Sequence, residues 1–245
     1  MRGVSDVRES LDAAATPSLV VAIDGPSGSG KSSVSRAVAA RLGLAYLDTG
    51  AMYRALTWWC IDQGIDLGDE AAVTAAAERL PLRMGTDPGD PRVFVGDTDV
   101  TAAIRETRIS SVVSAVARHL PTRAVLIGIQ RDLIARGSRP GIIAEGRDIT
   151  TVVAPDADLR LLLTASEHAR LMRRAREQHG DAGETALAAT RDEVVRRDRD
   201  DSMTTSFLVP TDGVQLLDTS ELDFESTVAV VVDAIEAVRR AASAL

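Results

Sequence analysis

The sequence predicts an α/β protein with a central parallel sheet flanked by helices. Three observations carry this prediction: an apolar run at 19–23 that suits a buried strand, a glycine-rich loop directly after it, and an alternation of strand-like with helix-like segments. The predicted strands are 19–24, 44–47, 141–144, 159–163 and 214–218. The predicted helices are 31–42, 51–63, 69–79, 107–118, 122–136, 166–178, 184–200 and 224–241.

The glycine-rich loop, residues 25–32, has the spacing G-x-x-x-x-G-K-S of a phosphate-binding loop. Glycines let backbone N–H groups converge on phosphate oxygens, and the N-terminus of the next helix adds the positive end of its dipole. We therefore predict that Lys31 reaches the outer phosphates of ATP and that Ser32 ligates Mg²⁺. The predicted ATP-binding residues of this segment are Gly25, Pro26, Ser27, Gly28, Ser29, Gly30, Lys31, Ser32 and Ser33.

Composition excludes several classes of protein. A formal net charge of −8 over 245 residues argues against a nucleic-acid polymer or an anionic membrane as partner. Cys60 is the only cysteine, which excludes an intramolecular disulfide and a cysteine zinc site. Residues 1–17 lack the apolar run of a signal peptide, and no stretch approaches the roughly 20 apolar residues of a membrane span. We expect a flexible tail at 1–17 and a cytoplasmic protein.

Two segments differ from the alternating pattern. Between 82 and 100, short apolar runs flank a cluster of Gly, Asp and Pro, which predicts a small antiparallel excursion within an inserted substrate-binding part, about 64–105. The segment 166–204 is rich in arginine. These arginines either form solvated helix faces with salt bridges or belong to a mobile flap that closes on phosphates.

Further motifs carry a resemblance to a known family. Residues 48–54 read D-T-G-A-M-Y-R after the second predicted strand, and 146–148 read G-R-D after the third. Together with I-D-G-P at 23–26, they resemble the bacterial cytidylate kinases, a family of nucleoside monophosphate kinases. Further matches follow in the same order along about 19–240. They are Ile104-Arg105, 114–123, Gln130-Arg131, 144–148, Arg197-Asp198, Asp201-Ser202 and 217–220.

The resemblance implies a nucleoside monophosphate kinase domain at 18–245, with a P-loop NTPase-type sheet, an inserted NMP-binding subdomain and a helical lid at 166–204. It implies in-line transfer of the γ-phosphoryl group of ATP to CMP and dCMP, with ADP as co-product and Mg²⁺ as cofactor. A monomer is expected.

The family's residue roles also carry over by resemblance. The acceptor nucleotide is assigned to Thr49, Tyr53 and Arg54, the cytosine edge to Ser114, Arg123 and Asp148, the phosphate to Arg147, the sugar to Asp201, and the donor phosphates to the lid residues Arg170, Arg173 and Arg174. The catalytic set is Lys31, Arg147 and Arg173.

The chemistry of cytosine agrees with these roles. Cytosine offers an N4 amino donor and two acceptors, so Asp148 can accept from N4 while Arg123 and Ser114 donate. Uracil places O4 opposite the carboxylate, and a site built for one pattern then leaves buried groups unpaired with the other. Simpler interpretations remain: a salt bridge for Asp148, Arg54 or Arg147, core packing for Tyr53, and a surface position for Ser114.

The chain departs from the family pattern at two positions. Thr204 stands where a further arginine is usual, and Thr150 stands where glycine is frequent after G-R-D. Two other functions remain open at this point: a kinase for another small acceptor such as UMP, AMP or a sugar acid, and a regulatory protein that binds a nucleotide without an acceptor.

Overall fold

The computed structural model describes most of the chain. The described residues are 19–136, 140–180 and 208–244, with Gly183, Leu187, Thr190, Arg191, Val194, Asp198 and Arg199 between them. The predicted tail at 1–17, the site residue Asp201 and Thr204 lie outside the described residues, as does most of the predicted helix 184–200.

The described strands and helices alternate as predicted. The strands are β1 Leu19–Asp24, β2 Ala45–Asp48, β3 Leu82–Met84, β4 Val93–Val95, β5 Thr98–Asp99, β6 Gly141–Gly146, β7 Leu159–Thr164 and β8 Gln215–Asp218. The helices are α1 Lys31–Leu42, α2 Thr49–Asp62, α3 Glu70–Arg79, α4 Thr107–Ser110, α5 Val113–Ala117, α6 Leu120–Ala135, α7 Glu167–His179 and α8 Phe224–Ser243. The predicted helix 107–118 was wrong as a single element, because it is divided into α4 and α5.

Five strands form the central sheet in the order β2-β6-β1-β7-β8. Every neighbouring pair is parallel. The predicted α/β fold with a central parallel sheet is therefore confirmed. Strand β1 lies in the middle, so the phosphate loop that follows it starts at the centre of the carboxyl edge, where open α/β sheets place their ligands.

Helices cover both faces of this sheet. Successive side chains of a strand point to opposite faces, and β1 follows this rule. Leu19, Val21 and Ile23 pack into a cluster with α1 and α8. Ala22 belongs to a second cluster that includes Met52 of α2, with parts of α6 packed against it. Both faces of β1 are thereby removed from water.

Side-chain caps fix where several helices begin, and hence the direction in which they leave the sheet. Asp48 accepts from the backbone N–H of Ala51 at the start of α2. Asp69, Ser166 and Asp223 cap α3, α7 and α8 in the same way. In contrast, α1 begins behind Gly30 with no side-chain cap, so the first N–H groups of this helix are left to the phosphate loop and its ligands.

The expected antiparallel excursion is a sheet of three short strands in the order β3-β4-β5. Its residues Val93 and Val95 pack with Ala51 and Ala55 of α2 in a separate apolar cluster. Among the described residues, no single helix is long and apolar enough to span a membrane. One pair of segments, Thr107–Ala117 with Leu120–Ala135, passes that test jointly by length and composition, with a bend of 105° between them.

Candidate active site

The phosphate loop has a backbone that only glycine adopts easily at two positions. Gly28 has φ 75° and Gly30 has φ 88°, both in the left-handed region. A Cβ atom at Gly28 would also lie 2.7 Å from the carbonyl oxygen of Arg170. The loop and α7 therefore approach each other too closely for any side chain at this position.

Lys31 and Ser32, the first residues of α1, face the buried carboxylate of Glu145 at the end of β6. Ser32 Oγ donates to Glu145 Oε1 at 2.7 Å, and Lys31 Nζ lies 4.0 Å from Glu145 Oε2. Tyr46 OH donates to the same Oε1 at 3.2 Å. Burial raises the pKa of Glu145, the negative charge of Asp48 raises it further, and Lys31 opposes both effects.

Asp48, at the end of β2, carries the opposite balance of charges. Its Oδ2 accepts from Arg54 Nη2 at 2.8 Å, and Arg105 Nη2 lies 3.8 Å away. Burial alone would raise the pKa of Asp48, but Arg54 and Arg105 hold it below its ordinary value. The pKa values of these two neighbouring acids are therefore shifted in opposite directions, that of Asp48 down and that of Glu145 up.

The donor set beside Lys31 fits a magnesium ion. Mg²⁺ prefers oxygen ligands and is usually held by one or two carboxylates together with substrate phosphates. Ser32 Oγ and the Glu145 carboxylate supply such oxygens 2.7 Å apart. A divalent cation here would also lower the pKa of Glu145, which burial raises. Among the described residues no cluster of three or more His, Cys, Asp or Glu could hold a metal alone.

Two of the three residues expected at the cytosine edge, Arg123 and Asp148, meet near the start of the turn after β6. Arg123 Nη2 of α6 donates to Asp148 Oδ2 at 2.5 Å. The Arg123 guanidinium carbon lies 5.8 Å from the centroid of the Tyr53 ring, within reach of a cation–π interaction. Burial raises the pKa of Asp148, and Arg123 opposes this. The salt bridge considered for Asp148 is therefore present, and its partner is Arg123, which is also a predicted base-reading residue.

The acceptor side is tied to the phosphate loop through backbone carbonyls. Arg147 Nη1 donates to Gly25 O at 2.7 Å, and Thr49 Oγ1 donates to Glu145 O at 2.8 Å. Arg54 Nε is buried and makes no hydrogen bond with the described residues. Ser114 lies half-buried on α5. The phosphate loop and the predicted acceptor residues thus belong to one connected region.

The departure at Thr150 has a structural explanation. Thr150 N and Oγ1 both donate to Asp24 Oδ2, at 2.8 Å and 2.6 Å, and Ile149 N donates to Asp24 Oδ1 at 3.0 Å. Burial raises the pKa of Asp24, while the Thr150 bonds lower it. The hydroxyl that glycine would lack therefore joins the turn after Asp148 to the residue before the phosphate loop.

Two predicted lid arginines contact the phosphate loop from α7. Arg170 Nη1 donates to Ser27 O at 2.9 Å and pairs with Asp198 Oδ2, while Ser27 N donates to Asp198 Oδ1 at 2.8 Å. Arg173 donates to Ser29 O at 3.1 Å, and also to Thr219 and Leu222. Arg174 follows on the same helix. The carboxylate of Asp198 thus accepts a hydrogen bond from a backbone N–H of the loop, the kind of group that binds phosphate oxygens.

Comparisons with known proteins agree with this geometry. The family model described as cytidylate kinase matches residues 21–237. A cytidylate kinase of Streptomyces avermitilis is 46% identical over 92% of this chain and 96% of its own. Those of Rhodococcus opacus and Exiguobacterium sibiricum are 45% and 40% identical over 87% and 88% of this chain, and 93% and 96% of their own. The chain belongs to the cytidylate kinase family.

This membership confirms the resemblance seen in the sequence. It also confirms the prediction of an enzyme, a phosphotransferase, over a regulatory nucleotide-binding protein. Among solved structures, a gluconokinase from Sinorhizobium meliloti is 16% identical, with a TM-score of 0.45, over 91% of this chain and 94% of its own. The assignment to the cytidylate kinase family rests on the family model and the curated relatives.

Sequence reasoning missed three acids of this cytidylate kinase-family site. Asp24, Asp48 and Glu145 are each 8% exposed or less, and they contact the turn after Asp148, Arg54 and Ser32 respectively. Each acid lies at or next to the carboxyl end of a predicted strand, and the strands are parallel neighbours. That placement is the sequence signal from which a cluster of acids could have been predicted.

Proposed function

We propose that this chain transfers the γ-phosphoryl group of ATP to CMP and dCMP, giving the nucleoside diphosphate and ADP. The observation that carries the proposal is the Arg123–Asp148 pair, 2.5 Å apart. It lies one residue from Arg147, which bonds the first residue of the phosphate loop. The Arg123–Asp148 pair, which suits the cytosine edge, is therefore close to the phosphate loop, which suits the donor phosphates.

The base-reading step follows from the donor and acceptor pattern of the pair. One Asp148 oxygen accepts from Arg123, and the carboxylate retains capacity to accept from the N4 amino group of cytosine. Arg123 has five N–H donors, so its remaining groups and Ser114 can donate to N3 and O2. With uracil, O4 would face the carboxylate, and two acceptors would oppose each other in a buried site.

The reaction needs no nucleophilic side chain. An oxygen of the CMP phosphate attacks the γ-phosphorus, a new P–O bond forms, and the bond from the γ-phosphorus to the β,γ-bridging oxygen breaks as ADP leaves. The protein contributes positioning and charge stabilisation. Lys31 and the N–H groups of the phosphate loop hold the donor phosphates. Ser32 and Glu145 would hold Mg²⁺, which neutralises phosphate charge when bound.

The arginines divide between the two substrates. Arg54 and Arg147 hold the acceptor phosphate in line, and Thr49 and Tyr53 border it. Arg170, Arg173 and Arg174 serve the donor phosphates, and Arg173 with Lys31 and Arg147 stabilises the transferring group. By the resemblance to the family, Asp201 is assigned to the sugar. Arginine suits these roles because its planar guanidinium binds phosphate with two N–H groups at once.

The organisation of the domain is part of the proposal. We assign the nucleoside monophosphate kinase domain to 18–245, with the inserted NMP-binding part at about 64–105 and the lid at about 166–204. The apolar contact of β4 with α2 supports the first assignment, since α2 carries Tyr53 and Arg54. The contacts of α7 with the phosphate loop support the second. A monomer and a cytoplasmic location stay predictions.

The acceptor preference tests this function. Release of ADP from ATP would be followed with CMP, dCMP, UMP and AMP as acceptors. We expect kcat/KM for CMP to exceed that for UMP by about 100-fold or more, because a buried hydrogen-bonding site rejects the reversed pattern strongly. Asp148→Asn should lower CMP use and narrow this ratio, since an amide can rotate to donate to O4 of uracil.

A matched control is Asp132→Asn, which removes an exposed carboxylate of α6 that pairs with Arg136 at 3.2 Å. This variant should keep the wild-type ratio. If the enzyme clearly prefers UMP or AMP, that nucleotide is the acceptor and the proposal of CMP is wrong. ADP release that no acceptor stimulates, with nucleotide binding retained, would contradict a monophosphate kinase altogether.

A further inference from the structure

Gln130, in the middle of α6, is a buried polar residue that the proposed function does not use. It is 0% exposed. Neither its Nε2 nor its Oε1 makes a hydrogen bond with the described residues. A buried polar atom without a partner costs about 1–3 kcal/mol. Such groups are rare in native proteins, and where they persist a functional role is a common reason.

A second buried group of this kind faces it from α2. The hydroxyl of Tyr53 is buried and has no hydrogen-bond partner among the described residues. Burial raises the pKa of Tyr53, whereas Arg123 and the neighbouring Gln130 amide lower it. The Gln130 amide N–H can donate to the phenolic oxygen, which is the bond direction that lowers the pKa of a tyrosine. Two adjacent groups on facing helices therefore complement each other without being joined by a hydrogen bond of ordinary geometry.

Both groups adjoin the proposed base reader. Arg123 and Gln130 are seven residues apart on α6, about two turns, and so lie on one face of this helix. The guanidinium of Arg123 lies 5.8 Å from the Tyr53 ring centroid and bonds Asp148 at 2.5 Å. The Tyr53 ring thus connects the Gln130 amide to the arginine that holds Asp148.

We propose that Gln130 is a positioning residue of the acceptor site. As the acceptor nucleotide packs against Tyr53, Gln130 Nε2 donates to the phenolic oxygen, and the bond fixes the ring beside Arg123. The Arg123–Asp148 pair is then held in the orientation that reads the base. This inference rests on the proposed function and adds to it a residue that does not itself touch the base.

A neighbouring residue shows how a purely structural polar group differs. Thr122, also on α6 and also 0% exposed, shares a hydrogen bond of 2.8 Å with Thr74 of α3. Replacing it should remove a hydrogen bond between α3 and α6 and lower stability. Replacing Gln130 should not have that effect, because no partner depends on it.

The test compares three variants by KM, kcat and melting temperature. Gln130→Met keeps the length and flexibility of the side chain. We expect an unchanged or higher Tm, a KM for CMP raised about tenfold, the value of one hydrogen bond, and an unchanged KM for ATP. Tyr53→Phe should raise the KM for CMP similarly. The double variant should add little to either, because both changes remove the same bond. Thr122→Val should lower Tm without changing KM.

Each remaining outcome overturns the proposal. If Gln130→Met keeps the wild-type KM for CMP, or lowers Tm without changing KM, Gln130 has no positioning role. If the effects of Gln130→Met and Tyr53→Phe add in the double variant, the two groups do not act as a pair. If the wild-type protein does not phosphorylate CMP, the proposed function fails first and this inference fails with it. That result is visible before any variant is compared.

Discussion

At the scale of single residues, two neighbouring acids beside the phosphate loop differ in their ion pairing. Asp48 is paired with Arg54 at 2.8 Å, whereas Glu145 accepts from Ser32 at 2.7 Å and has its cation, Lys31, at 4.0 Å. Their pKa values accordingly move in opposite directions. The acid with the weaker pairing is the one next to the loop, where a phosphate-bound cation would lie.

Asp48→Asn tests this difference in pairing through stability. An asparagine can still cap α2, so the variant removes mainly the charge that pairs with Arg54. We expect a loss of about 2–3 kcal/mol in the free energy of unfolding near pH 7. The loss is limited because asparagine also removes the repulsion between the Asp48 charge and Glu145. The pKa of Asp48 is lowered from its ordinary value of 3.8. Its contribution is therefore present above that value and disappears as the pH falls through the folded pKa.

Urea unfolding between pH 3 and pH 8 would measure the difference between the two proteins at each pH. The exposed pair of Asp132 and Arg136 supplies the control, since Asp132→Asn should cost less than about 1 kcal/mol at any pH. A loss for Asp48→Asn that does not shrink toward low pH would show that the Asp48 charge is not what stabilises the fold.

Residue by residue, the sequence was informative where a motif names a chemistry. The sequence alone predicted the phosphate loop with Lys31, and it predicted that Arg123 and Asp148 act together. The structure brings Arg123 and Asp148 into contact. The Thr150–Asp24 bond could not be foreseen, because it joins residues 126 positions apart. Only the parallel pairing of β1 with β6 makes them neighbours.

At the scale of elements, α7 links the phosphate loop to the far edge of the sheet. Arg170 bonds the loop at Ser27, and Arg173 bonds both Ser29 and Thr219, just beyond β8. Burial lowers the pKa of Arg173, whereas the carboxylate of Asp218 raises it. When phosphates enter the loop they offer these arginines stronger acceptors than backbone carbonyls, because charge-assisted hydrogen bonds are stronger than neutral ones.

Hydrogen exchange of α7 tests this link. We expect the backbone amides of residues 167–179 to gain protection when a cytidine–adenosine bisubstrate analogue binds. The gain should reach about 100-fold at a ligand concentration of 100 Kd, for openings that require ligand release. Amides at the C-terminal end of α8, which exchange by local fraying, are the internal control. Equal protection of α7 in both states would contradict a role of its arginines in nucleotide binding.

Element boundaries were predicted well where local chemistry decides them. The starts of α1 and α3 agree with the sequence to within a residue, since a glycine loop and an aspartate cap mark them. The break between α4 and α5 carries no glycine or proline. Ile109 and Val113, on either side of the break, are both buried. The helical periodicity of the sequence continues through the break, so only the tertiary structure reveals where the helix is interrupted.

At the scale of the whole molecule, the sheet order explains why one site serves two substrates. The central strand β1 leads into the phosphate loop. On one side Glu145 and Asp48 lie at the ends of β6 and β2, and Asp148 follows β6, beside the proposed acceptor residues of α2 and α6. On the other side β7 leads into α7 with its arginines. Donor and acceptor groups therefore meet at the carboxyl edge of a single sheet.

We propose that CMP receives a phosphoryl group from ATP at this edge. The most direct measurement of this reaction is the formation of CDP from ATP, CMP and Mg²⁺, separated by anion-exchange chromatography, for the wild-type protein and for Lys31→Ala. We expect CDP and ADP in equal amounts from the wild type. In the variant the rate should fall by at least about 100-fold, with an unchanged circular dichroism spectrum. Absence of CDP from the folded wild-type protein, or a near wild-type rate in Lys31→Ala, would contradict the account.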